Sequence, residues 1–254
     1  ALVMLAVYAA LHSSAGGAAR GRQRETPAGR RTAAQSAYLA NLDAARADLL
    51  AGDASLALAK VQEALRAQVA DAEAYLVRGL AYRAKRDDDT ARLDFEEALA
   101  LDPGYGDAAA ELGWMLLEKG ERDAALARFL EAGRIDPGSA EALIGQGAVR
   151  LAEGNTAAAR ALLDKALAAS PESVRAHLHS GRAHLAAGNA QAAVESFVQA
   201  KRREPGSWPA HSGLGQAYLA LSRWEDAEQQ FLEAIRLAPT AAEPRAVLLA
   251  VCAA

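Results

Sequence analysis

Small and apolar side chains return at fixed places along this chain, with a step of 34 residues. Prolines stand at 103, 137, 171, 205 and 239. Counting Ala72 as position 1 of a block, position 8 reads Gly79, Gly113, Gly147, Gly181 and Gly215. Position 20 reads Ala91, Ala125, Ala159, Ala193 and Ala227, and position 27 reads Ala98, Ala132, Ala166, Ala200 and Ala234. Position 24 holds Phe95, Phe129, Leu163, Phe197 and Phe231. Five blocks in strict register follow, 72–105, 106–139, 140–173, 174–207 and 208–241. Apolar residues make up 52% of the chain but aromatics only 5%, with Ala dominant. Alanine has the best helix propensity and little bulk, so this composition suits many closely approaching helices rather than one thick core. No strand pattern is evident.

The 34-residue period with these columns resembles the tetratricopeptide repeat family, whose repeats are helix–turn–helix units. The resemblance implies an all-α fold, a right-handed α-solenoid of stacked helix pairs with the first helices on the concave face. The columns have a physical reading within that frame. Gly at position 8 and Ala at position 20 let paired helices pack with close backbones, and Phe at position 24 fills the space they open. A mid-helix Gly costs about 1 kcal/mol against Ala, so its recurrence implies a packing need. Proline at position 32 ends the second helix. Gly52, Gly120, Gly154 and Gly188 fall in the turns between paired helices, where a left-handed residue is expected. Segment 34–71 reads as a degenerate first repeat. It keeps Ala57, Val61 and Ala64, but Ala45 stands where Gly is expected and Val69 where Pro is expected. Residues 242–254 read as a C-terminal capping helix. Six repeats exceed the about three needed for stacking to bury a core.

Ahead of the repeats lies the uncharged, apolar run Ala1–Leu11, then a Gly-, Ser-, Pro- and Arg-rich linker at 12–33. Eleven residues fall short of the roughly 20 that span a bilayer. The chain has no initiator Met, and the run fits the remnant of a signal or membrane anchor. The competing reading is a greasy terminus that docks on a partner or on the array. The linker reads as a flexible tether, whose Arg side chains either meet anionic lipid or are simply solvated. Charge sharpens the contrast. The formal net charge is −4, yet residues 1–34 carry five Arg against Glu25, leaving a net of −8 on the rest. An acidic body argues against nucleic acid as a partner.

In the family that the chain resembles, ligands lie in the concave groove against positions 2, 5, 6, 9, 12 and 13. Carried onto this sequence, that implies an apolar groove centred on an exposed Trp114, with Leu76, Leu80, Leu117 and Ile144 around it. Charged members change sign along the array. Glu73, Asp107, Glu111, Glu118 and Glu141 come first, and Arg175, His179 and Arg182 follow beside Leu178. The groove is therefore expected to bind an extended or helical segment of a protein partner, oriented by this gradient. The competing view makes these the solvated faces of amphipathic helices and sets Trp114 against a neighbouring helix. One subgroup of the family clamps terminal carboxylates with Lys, Asn and Arg at positions 2, 5, 6 and 9. Here those columns hold Leu, Ala, Glu and Trp, so that clamp is missing.

Other chemistry finds little support. His177 and His184 are about 10 Å apart along a helix, too far to share one ion. His177 and His211 share position 4 and read as substitutes for an aromatic spacer. Asp87-Asp88-Asp89 lacks the other ligands of a calcium loop, and Asp88 or Asp89 is expected to cap the next helix. Cys252 is the only cysteine, so no intrachain disulfide forms. No phosphate loop, nucleophile elbow or catalytic residue stands out. The sequence therefore implies no cofactor, metal, small-molecule substrate or enzyme activity. The leading expectation is a protein-binding scaffold or assembly factor, membrane-associated through 1–11, serving a bacterial envelope complex. Its membrane side, periplasmic or cytoplasmic, is left undecided by the Arg-rich flank. The alternative is a soluble regulatory or substrate-recognition module of a separate enzyme.

Overall fold

Each block folds as two helices because its sequence starts and stops them in turn. Asp71, Ser139, Asn155 and Ser173 each accept a hydrogen bond from a first-turn amide of the helix that follows, satisfying one of the donors a helix start leaves open. Asp87 does the same, accepting from the Thr90 amide at 3.2 Å and from Thr90 Oγ1 at 2.8 Å. Capping by Asp88 or Asp89 was expected; they lie instead in the first turn, where a carboxylate favours the positive helix end. Between paired helices the chain turns through a left-handed residue. Gly52, Gly120, Gly154 and Gly188 hold that place with φ between 77° and 84°. The second and last helix pairs put Arg86 (φ 66°) and Ser222 (φ 58°) there instead.

The computed structural model describes residues 33–66, 71–241 and 244, and among them helices alone, twelve of them, with no strand. The chain is an all-α solenoid of helical repeats that divides into two compact units after Pro137. Unit 1 holds α1 (Ala33–Leu50), α2 (Ala54–Arg66), α3 (Ala72–Ala84), α4 (Asp88–Leu101), α5 (Gly106–Glu118) and α6 (Arg122–Ile135). Unit 2 holds α7 (Ala140–Ala152), α8 (Thr156–Ala169), α9 (Val174–Ala186), α10 (Ala190–Arg203), α11 (Trp208–Ala220) and α12 (Trp224–Leu237). Within each unit every helix packs on the next, and first helices also meet first helices: α1 meets α3, and α9 lies between α7 and α11. The expected N-terminal segment 1–11, the linker ahead of α1 and the cap at 242–254 lie outside the described residues, Pro244 excepted.

The cores are thin and repetitive. Phe95, Phe129, Phe197 and Phe231 are fully buried, as are Leu163 and the alanines at positions 20 and 27. Phe95 and Phe129 belong to unit 1, Phe197 and Phe231 to unit 2. In the first helix pair, Ala45 at position 8 and Val61 at position 24 are also fully buried.

A residue with a Cβ in the left-handed region costs about 1–2 kcal/mol. Ser222→Gly is therefore expected to raise the unfolding free energy by about 0.5–1 kcal/mol, part of the relief being offset by the freedom glycine has when unfolded. Urea denaturation of the full chain measures it. No gain at Ser222 would mean that the turn is not strained.

Candidate partner-binding face

The first helices α3, α5, α7 and α9 carry the candidate residues, five in unit 1 and four in unit 2. In unit 1, Leu76 and Leu80 of α3 and Glu111 and Trp114 of α5 are buried, and Leu117 is half-buried. In unit 2, Ile144 of α7 is fully buried, Leu178 of α9 is buried, His179 is half-buried and Arg182 is exposed.

Trp114 departs from its expected exposure. It is only 7% exposed. Its ring stands edge-on to Phe129, with centroids 5.0 Å apart and planes at 69°, a favoured aromatic geometry. The cause is local. Gly113 leaves room for Phe129 against α5, and Trp114 closes over the same ring. Leu76, Leu80 and Ile144 are likewise taken up in packing, so of these five residues Leu117 alone keeps substantial solvent access.

The acidic members of the face also have partners of their own. Arg83 Nη1 donates to Glu111 Oε2 at 2.7 Å, and Nη2 donates to Glu118 Oε1 at 2.6 Å. Burial disfavours this guanidinium's charge, but the two carboxylates more than offset it and hold its pKa above the ordinary value. Arg46 pairs with Glu73. In unit 2, Arg175 Nη1 donates to Glu141 Oε2 at 2.6 Å, both side chains being buried. The expected run from acidic to basic side chains is thus, in large part, a set of ion pairs between neighbouring first helices. Arg83 was missed as a member of the face. It stands at position 12, where later blocks have Leu117, Leu151, Leu185 and Leu219, and that departure is the signal in the sequence. Glu141 and Arg175 share position 2 in adjacent blocks with opposite sign, which marks their pairing equally well.

The histidines do structural work. His177 Nε2 lies 2.9 Å from the Pro171 carbonyl oxygen, and His211 Nε2 lies 3.2 Å from that of Pro205. Each ring ties position 4 to the proline that ends the preceding block, so these histidines bond polar groups rather than merely space the helices. His211 Nδ1 also lies 2.9 Å from Gln230 Oε1. Among the described residues, no three His, Cys, Asp or Glu side chains come together as metal ligands would.

Two tetratricopeptide repeat models match the sequence, one over residues 26–143 and the other over 144–207 and 178–242. The chain belongs to the tetratricopeptide repeat family. No curated protein matches its sequence. Among solved structures, this tetratricopeptide repeat chain is similar to the APC/C hetero-tetramer Cut9-Hcn1, at 14% identity and a TM-score of 0.74. That likeness covers 84% of this chain and 42% of the other, so this chain spans less than half of it. It is similar to PilF of Pseudomonas aeruginosa at 17% identity and a TM-score of 0.61, covering 85% of this chain and 99% of that one. PilW gives 23% identity and a TM-score of 0.62, covering 83% and 98%. At these identities the likeness is one of fold.

Burial separates framework from surface on the first helices. Trp114→Ala is expected to cost about 3 kcal/mol or more. Arg83→Met, which leaves Glu111 buried without its cation, is expected to cost about 3 kcal/mol. Arg182→Gln is expected to stay within about 0.5 kcal/mol of wild type, as exposed substitutions do. Thermal and chemical denaturation of the three variants checks the ranking. Equal costs at Arg182 and Trp114 would contradict it.

Proposed function

We propose that this protein is a scaffold that binds a segment of another protein along its first helices, and that it serves as a membrane-tethered assembly factor of a bacterial envelope complex. Repeats of this family make protein-interaction scaffolds, and one observation carries the reading onto this chain. The 34-residue repeat brings equivalent first-helix positions side by side within each unit, leaving Leu117 and Arg182 accessible while the aromatic columns are consumed in packing. A surface repeated at regular intervals suits an extended or helical segment better than a compact small molecule. PilW, which shares the fold, is described as a widely conserved type IV pilus biogenesis factor, and that supports assembly as the task. The tether is assigned to Ala1–Leu11 for its uncharged, apolar composition. No helix among the described residues is long and apolar enough to cross a membrane.

The test is capture of partners from detergent-solubilised membranes by the tagged full chain. Leu117→Ser and Arg182→Glu serve as surface variants, and a form lacking residues 1–32 tests the tether. A defined set of membrane proteins is expected, lost or depleted with the surface variants, and the truncated form is expected in the soluble fraction. If the full chain fractionates with cytosol and captures no membrane protein, the tethered scaffold fails and a soluble regulatory module replaces it.

A further inference from the structure

Unit 2 places three basic side chains on one face of α9, of which one, Arg182, keeps an exposed charge. Arg175, His179 and Arg182 fall four and three residues apart on α9 and therefore share one helix face. The flanking first helices are α7 and α11. From α7, Glu141 answers Arg175 through the 2.6 Å bond. Arg182 is exposed, and no acidic side chain among the described residues pairs with it. Both arginines act on His179 as cations. Its imidazole is held well below the ordinary histidine range by burial first, then by Arg182 and Arg175. In the column of Arg182, α7 places Ala148 and α11 places Gln216, so neither neighbour brings a charge. Leu185, half-buried, lies three residues beyond Arg182 on the same face.

We propose that this face of unit 2 docks an acidic peptide segment, with an Asp or Glu carboxylate of the partner paired to Arg182 and a neighbouring apolar side chain laid against Leu185. The proposal rests on the reading of the first helices as the partner surface and names the partner's chemistry there. A guanidinium offers two parallel N–H donors to a carboxylate, which gives direction as well as attraction. Arg182 is already in water, so meeting it costs the partner little desolvation, and Glu141 is committed to Arg175 rather than to Arg182. Nucleic acid is disfavoured, because it needs clustered Lys and Arg along its phosphates and this face offers one exposed arginine.

The test uses the full chain on an array of immobilised random-sequence peptides that includes phosphoserine peptides. Arg182→Glu is the reporting variant and Arg202→Glu, on α10, the control, both checked for folding by thermal denaturation. Peptides retained by the wild type are expected to be enriched in Asp and Glu by about tenfold, the size of one favourable charge pair. Arg202→Glu is expected to keep that preference, and Arg182→Glu to reverse it toward Lys and Arg. An acid preference that survives Arg182→Glu overturns the proposal, as does stronger retention of phosphoserine peptides than of acidic ones. Retention without any acid enrichment overturns it too, while leaving the scaffold reading in place. If no peptide is retained, both fall together.

Discussion

The paired helices of every block depend on one contact, the side chain at position 24 pressed against the helix backbone at position 8. A Cβ placed on Gly79 would come within 2.5 Å of Phe95 Cε1, and one on Gly113 within 2.8 Å of Phe129 Cε1. In unit 2 the same holds at Gly181 and Gly215, each 2.7 Å from a ring carbon of Phe197 or Phe231. The two columns are matched in size. With Leu163 in place of Phe, the gap at Gly147 opens to 3.0 Å from the nearest Leu163 atom. In the first pair, where the large side chain shrinks to Val61, the small one grows to Ala45, and both stay fully buried. A core built from such contacts is one ring deep, so each helix pair relies on packing with its neighbours to keep that ring dry.

Because the aromatic rings are spent inside the pairs, the outer character of the first helices is decided by charge. Buried cations and carboxylates on adjacent helices satisfy one another, as Arg83 does with Glu111 and Arg175 with Glu141. Such pairs add little net stability but are costly to break, so they hold neighbouring helices in register. What is left for a partner is a smaller set of side chains with free solvent access, Arg182 chief among them in unit 2. The division follows from burial: a group that the fold must neutralise for itself has little left to offer a ligand.

The period, the columns and the left-handed turn glycines were legible in the sequence because they are set by sterics that repeat identically in every block. The family and the fold class follow from them. What repeats imperfectly was harder to read. Trp114 stands in a column that varies from block to block, so neither the column nor its aromatic character tells whether it faces water or Phe129. The acidic and basic side chains of the first helices read as a gradient along the chain, yet their meaning lies in which one sits opposite which. That is a matter of separation in space; only the matched column of Glu141 and Arg175, and the odd residue Arg83 among leucines, hinted at it. The capping role of Asp87 is hidden in the sequence because three consecutive aspartates offer the same chemistry, and the helix start alone distinguishes them.

The size match between positions 8 and 24 is the central claim, and a double-mutant cycle in unit 1 tests it most directly. Chemical denaturation would be measured for Gly79→Ala, Phe95→Leu and the double variant. The account predicts that Gly79→Ala alone costs about 1–3 kcal/mol through overpacking against Phe95. In the Phe95→Leu background the same change should cost at least about 1 kcal/mol less, because the smaller side chain yields the space. Strictly additive costs would show that the two columns are independent, and would contradict the account.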